Sequence, residues 1–306
     1  MSKEFPYSYI RGKIVKTTDA VIPIQSKVVQ YGLGIFSGIR GQWNAEQKQL
    51  HIFRLKDHYE RLKMSAQITG MKFSMTYKKF EELMLELVRK NKIKEDFYIR
   101  PIVYAASTQL TPRWDSGDDD LAIYMISLKE YYPAEKGIRA CVSSWRRLDD
   151  DAMSLKSKIC GSYANSAFAR TEAVRHGYEE AIFLNRDGKV CEASAANIFG
   201  IKDGVAFTPP LAANNLSGIT RATVIEIAQD LGIEVREQEI DRSMLYMFEE
   251  LFFCGTAAKV SFVASVDDRQ IGSGKRGPIT KKIADALDDA LYSRDEKYLK
   301  YSTNVY

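Results

Sequence analysis

The stretch from Glu179 to Pro210 constrains the fold more than any other. "EEAIFLN" is followed by a turn at Arg186-Asp187-Gly188, then "KVCEASAANIFGIK", a turn at Asp203-Gly204, and "VAFTPP". Short β-rich runs with turn residues at each reversal predict an antiparallel meander. A helix precedes it: residues 163–176 place Ala164, Ala167, Phe168 and Thr171 on one face, with Gly177 as the stop. Another follows within "SGITRATVIEIAQDLG", from near Thr220 to Gly232, and a last one runs from about Pro278 to Leu291. Upstream, Phe80, Leu83, Met84, Leu87 and Val88 recur at helical spacing over residues 76–91, with Thr76 as the cap. "FYIRPIVYAA" (97–106) and "LAIYMISL" (121–128) read as strands, and Pro101 places the first at an edge or a bulge. Strands and helices mix without strict βαβ alternation, so the fold class is α+β.

The bulk properties exclude several function classes. The 306 residues are 45% hydrophobic and 27% charged, enough for a sizeable core in one large or two medium domains. A net charge of +4 from 44 basic and 40 acidic residues is a mixed surface, without the footprint of a nucleic-acid binder. The opening "MSKEFPYSYIRGK" is too charged and broken for a signal peptide, and no run of 18 apolar residues predicts a membrane span. Cys141, Cys160, Cys191 and Cys254 are far apart, and the only histidines are His51, His58 and His176. That spacing predicts neither a metal site nor a disulfide framework, and fits a reducing cytoplasm. A shift at "KEYYPAEKGIRA" marks an inter-domain linker at 129–137, separating domains at 1–128 and 138–306. The 14-residue polar loop "STQLTPRWDSGDDD" is long enough to suggest function.

Nucleotide, zinc-protease and serine-hydrolase motifs are missing from the chain. What remains is a set of scattered chemical groups. "KSKICGSYANS" offers Lys156 and Lys158 beside small residues, where the plain alternative is a solvated loop. Glu192 stands among small apolar residues, where a carboxylate needs a cationic partner or must face outward. Gly218 precedes a helix whose first N–H groups suit a phosphate, and "CGTAAK" supplies a second small-residue turn at Thr256. Arg61 lies on a helix in "HYERL", and Arg100 in an apolar strand requires an anion, internal or bound. A reactive lysine, a carboxylate and a phosphate cup are what pyridoxal 5′-phosphate requires.

The chain resembles the class IV (fold type IV) pyridoxal-phosphate aminotransferases, most closely the branched-chain amino acid aminotransferases. The likeness spans nearly the whole sequence, through "YGLGIFSGIR", "HYERL", "YIRP", "KICGSYANSAFARTEAVRHGYEEAIFLN", "GKVCEASAANIF", "LSGITR", "CGTAAKV" and "GPITKK". It implies that Lys158 is the Schiff-base lysine, because the motif places a Gly and a Tyr three and five residues on, here Gly161 and Tyr163. It further implies that Tyr163 donates to the phenolic oxygen of the ring and that Glu192 partners the ring nitrogen. Arg61, Thr256, Gly218 and the backbone of Ile219 and Thr220 match the phosphate cup, and Leu216 packs under the ring. Tyr98 and Arg100 match a substrate-carboxylate pair. Tyr31 and Phe36 line the same pocket, and Thr256 and Ala257 offer N–H groups to the α-carboxylate.

The sequence departs from the family pattern at Ser37, Ser162, Ala196, Ser217 and Lys259. The implied fold is an α+β N-terminal domain and a C-terminal domain with a barrel-like β core, in a homodimer or larger assembly. The implied reaction is transamination between a branched-chain or other apolar L-amino acid and 2-oxoglutarate. The same fold also supports D-amino acid and amine transaminases, aminodeoxychorismate lyase, or a cofactor-free binding protein.

Overall fold

A computed structural model describes residues 3–114, 117–128, 132 and 136–306. Most of the expected linker, 129–137, lies outside the described residues. The chain divides into two compact units: Met1–Lys129 with Ser157–Gly161 and Ala290–Tyr306, and Glu130–Lys156 with Ser162–Asp289. Two segments that the sequence assigns to the C-terminal domain therefore belong to the first unit. Hydrogen bonding explains both. Cys160 N–H donates to Gly34 O and Phe36 N–H to Lys158 O, so residues 157–161 lie along the early chain. The C-terminal strand Ser302–Asn304 pairs antiparallel with residues 51–53.

The first unit holds strands β1 (Tyr7–Ile10), β2 (Lys13–Lys16), β3 (Gly34–Phe36), β4 (Ile39–Asn44), β5 (Gln49–Phe53), β6 (Phe97–Ala105) and β7 (Asp119–Ser127). Its helices are α1 (Lys27–Tyr31), α2 (Leu55–Thr69) and α3 (Tyr77–Lys90). The C-terminal strand, β5, β4, β6, β7, β1 and β2 follow one another across the sheet, and β3 also pairs with β6. Phe80, Met84, Leu87 and Val88 of α3 are buried, as their spacing predicts, and Thr76 Oγ1 caps the helix by accepting from Lys79 N–H at 3.4 Å. Each such side chain contributes about 1.5–3 kcal/mol by leaving water.

β6 is an interior strand and not the edge that Pro101 suggests. It pairs with β7 along one side and with both β3 and β4 along the other. Pro101 O accepts from Ser37 N–H, and within a strand the N and C=O of one residue face the same neighbour. The missing N–H of Pro101 therefore falls where β3 has ended and β4 has not begun, so no ladder bond is lost.

The second unit contains β8 (Ile138–Val142), α4 (Tyr163–Arg175), β9 (Glu180–Leu184), β10 (Val190–Ala193), β11 (Asn197–Lys202), β12 (Val205–Thr208), α5 (Ile219–Asp230), β13 (Val235–Glu237), β14 (Glu250–Gly255), β15 (Lys259–Val266) and β16 (Arg269–Gln270). Helix α6 (Pro278–Leu291) follows. The sheet order is β10-β9-β8-β15-β14-β11-β12-β13. Its ends meet: Val190 N–H donates to Ile240 O at 2.8 Å, and Lys189 bridges Asp241 just beyond β13. The sheet thus curls into a barrel-like core, filled by Ile138, Ile182, Val190, Ile198, Leu251, Phe253 and Val263. Alternate residues Cys141, Ala181, Phe183 and Cys191 point to the other face and receive Ala169 and Ala173 of α4.

Two expectations change here. The run "KVCEASAANIFGIK" is broken at Ser194–Ala196 into β10 and β11, closed by Ala193 N–H to Ala196 O. On α4 the buried stripe is Ser166, Ala169 and Ala173, whereas Ala164, Ala167, Phe168 and Thr171 are not buried and Phe168 stacks on Trp145 at 4.6 Å. Small residues line both stripes of that helix, so the pattern alone favours neither. No helix among the described residues is long and apolar enough to cross a membrane.

Candidate active site

In the first unit, residues far apart in sequence converge around Lys158. The segment carrying it runs beside β3: Ile159 bridges Ile35, Phe36 N–H donates to Lys158 O at 3.0 Å, and Lys158 N–H donates to Ser65 Oγ of α2 at 3.2 Å. Lys158 Nζ lies 5.1 Å from the centroid of the Phe36 ring. The Arg100 guanidinium lies 4.4 Å from the same ring and 5.1 Å from that of Tyr98, and donates to Tyr98 Oη at 2.8 Å. The cluster thus sets two cations against one aromatic ring. Burial pushes the neighbouring Cys160 thiol up to about 11, against the opposing pull of Arg100 and Lys158.

Arg61 is buried on α2 and donates to Ser37 Oγ at 3.4 Å. Ser37 Oγ and His58 Nδ1 are 2.9 Å apart. Since Ser37 accepts from Arg61, its own proton is placed to reach His58 Nδ1. Burial holds His58 well below its ordinary value of 6.5, with the charges of Arg61, Lys158 and Arg54 adding to the effect. The imidazole is therefore neutral and able to accept. Ser37, a departure from the family pattern, is fully buried in this chain of contacts. Tyr31 is 37% exposed, and its hydroxyl donates to Leu110 O at 3.0 Å.

In the second unit, Glu192 on β10 is buried and paired. Arg147 reaches its Oε1 through Nε at 2.9 Å and NH2 at 2.8 Å. Glu192 Oε2 accepts from Leu216 N–H at 3.1 Å and, weakly, from Asn197 Nδ2 at 3.4 Å. Arg147 also donates to Asn165 Oδ1 and Ser166 Oγ on the first turns of α4, the helix that begins at Tyr163. One arginine therefore ties the Tyr163 helix to the Glu192 carboxylate. The sequence reading missed Arg147 and Asn197. The signal for the arginine was the lone acid itself, which needed a cation somewhere in "SSWRR" or beyond.

Ile219 and Thr220 open α5, with Gly218 at its N-cap and no capping side-chain bond there. Thr256 and Ala257 form the turn from β14 to β15. Lys259, another departure, is engaged by Asp288 at 2.9 Å. Ala196 is buried beside β11, and Ser162 is buried at the start of α4.

The class IV amino-transferase family profile matches residues 35–266. The chain belongs to the class IV aminotransferases. A probable branched-chain-amino-acid aminotransferase of Aquifex aeolicus is 44% identical over 301 residues, 98% of this chain and 97% of its own. A branched-chain aminotransferase from Thermoproteus uzoniensis, solved with norvaline, superposes with a TM-score of 0.94 at 42% identity over 100% of both chains. A branched-chain amino acid aminotransferase from Thermobaculum terrenum, solved in its PLP form, superposes with a TM-score of 0.93 at 32% identity, covering 99% of this chain and 99% of that one.

Class IV aminotransferases use pyridoxal 5′-phosphate, and the groups in each unit of this aminotransferase fit it. Glu192 is a buried carboxylate fixed by an arginine and a backbone N–H, and the second contact to its Oε2 is long, leaving acceptor capacity for a ring N–H. At Gly218 an added Cβ would lie 2.0 Å from Asn197 Oδ1, so only glycine allows the backbone this close at the start of α5. The unprotected first N–H groups of a helix are suited to a phosphate.

Proposed function

We propose that the enzyme transfers the amino group of branched-chain L-amino acids to 2-oxoglutarate, giving the 2-oxo acids and L-glutamate, as a homodimer or larger homo-oligomer in the cytoplasm. The observation that carries this reading is the Phe36–Tyr98–Arg100 cluster. A pocket that takes both leucine and glutamate needs apolar walls and one place for the second carboxylate. A guanidinium set against two aromatic rings supplies both. The names of the full-length relatives support the same substrate class.

The residue roles proposed are those that the resemblance implies. Lys158 Nζ would hold the cofactor, and its amine would take the proton from the substrate Cα. The Phe36 ring lies beside that amine. When bound, pyridoxal 5′-phosphate supplies the electron sink that makes this proton removable. Glu192 would accept from its ring nitrogen, and Arg147 holds that carboxylate in place. Tyr163 would donate to the ring oxygen, and Leu216 would pack against the ring. Arg61, Thr256, Gly218 and the N–H groups of Ile219 and Thr220 would hold the phosphate. Ser37 and His58 steady the Arg61 guanidinium. Tyr31 and Tyr98 line the substrate side, and the N–H groups of Thr256 and Ala257 bind the α-carboxylate.

Arg100→Met tests the dual-substrate pocket, since it keeps apolar volume and deletes the charge. Truncating one partner of a desolvated charge pair costs roughly 2–5 kcal/mol. Single-turnover rates with L-glutamate should therefore fall about 30-fold or more, and those with L-leucine much less. Equal losses with both would assign Arg100 to the α-carboxylate and overturn the dual-substrate reading.

A further inference from the structure

Lys27 is the first residue of α1 and is 1% exposed, although it has no role in the chemistry above. Lysines are almost never fully buried without a partner, because an ammonium taken out of water needs acceptors. Lys27 Nζ donates to the backbone Arg113 O at 3.3 Å, and its charge is also felt by the Asp119 carboxylate. The Lys27 N–H donates to Ser107 O at 2.9 Å. One helical turn on, Tyr31 Oη donates to Leu110 O at 3.0 Å. A five-residue helix thus holds the loop after β6 at Ser107, Leu110 and Arg113. The base of that loop is closed separately, by Ala106 N–H to Asp118 O at 2.8 Å. A methionine would fill the space of Lys27 without the cost of burying a charge. What the lysine adds is a donor long enough to reach the carbonyl at residue 113.

We infer that Lys27 is a positioning residue: it fastens loop 107–113 to α1, so that the loop and Tyr31 hold one conformation, and it thereby sets which amino donors the enzyme accepts. The selectivity half of this inference rests on the proposed place of Tyr31 in the substrate pocket. The fastening half does not, and the two are separable.

The test uses the holoenzyme and its Lys27→Met and Tyr31→Phe variants. Hydrogen–deuterium exchange by mass spectrometry reads the amides of 107–113, and steady-state kinetics compare L-leucine with L-glutamate. Loss of one hydrogen bond from a charged donor predicts exchange in 107–113 faster by about fivefold or more in Lys27→Met, with β6 unchanged. KM for the donors should rise unequally while kcat changes less. Tyr31→Phe should speed exchange around Leu110, which keeps the fastening testable if Lys27→Met does not fold. Unchanged exchange in 107–113, or a uniform rise across α1, β6 and the loop, would overturn the fastening and leave an ordinary core lysine. Faster loop exchange with an unchanged leucine-to-glutamate ratio would overturn the selectivity half. A wild-type enzyme inactive with every L-amino donor would refute the proposed function, while the exchange comparison would still decide the role of Lys27.

Discussion

Two lysines two residues apart have different surroundings. Lys156 is 64% exposed, with Asp150 4.0 Å away, a pair worth little in water. Lys158 is held by its backbone to Phe36 and Ser65, and its amine lies over an aromatic ring. Lys158→Ala should therefore abolish both the visible absorbance of the bound cofactor and turnover, whereas Lys156→Ala should keep both. An inactive, colourless Lys156→Ala protein beside an active Lys158→Ala protein would reverse the assignment. At this scale the resemblance picks out groups whose motif neighbours are close along the chain, such as Lys158 with Gly161 and Tyr163. It is silent where the partner is distant. Arg147 lies 45 residues from Glu192, and no local pattern links them. His58 and Ser37 lie 21 residues apart, and nothing in either motif announces their contact.

Among the elements, the link from β3 to β4 decides where Tyr98 and Arg100, the proposed substrate-side residues, stand. Gly38 lies in that link, where an added Cβ would be 1.8 Å from Tyr98 Oη and 2.6 Å from its Cζ. Tyr98 is 7% exposed, so its ring has little room to retreat. Gly38→Ala should displace the phenol that receives Arg100, raising KM for L-glutamate and 2-oxoglutarate more than for L-leucine. Overpacking of this kind should also cost about 1–3 kcal/mol in urea unfolding. Unchanged KM values for all three would mean that the Tyr98–Arg100 bond does not shape the pocket. Elements with one strong apolar stripe, such as α3, are legible from spacing. α4 is not, because alanines populate both of its faces. The edge assignment for β6 fails for a topological reason, since proline is tolerated inside a sheet wherever the neighbouring strand is interrupted.

For the whole molecule, the meander and the absence of βαβ alternation identify the α+β class, and the resemblance adds the barrel-like core. Spacing could not reveal that residues 157–161 and 302–304 return to the first unit, because strand pairing between distant segments leaves no local signature. The proposed reaction is directly measurable. The decisive measurement is single-turnover loss of the cofactor's visible absorbance in the wild-type holoenzyme, with L-leucine, L-isoleucine, L-valine, L-glutamate, D-alanine and an (R)-amine each offered alone. Rapid loss with the four L-amino acids, reversed by 2-oxoglutarate, and slow or no loss with D-alanine and the amine is the predicted result. Rapid loss with D-alanine or the amine and none with L-leucine would contradict the account.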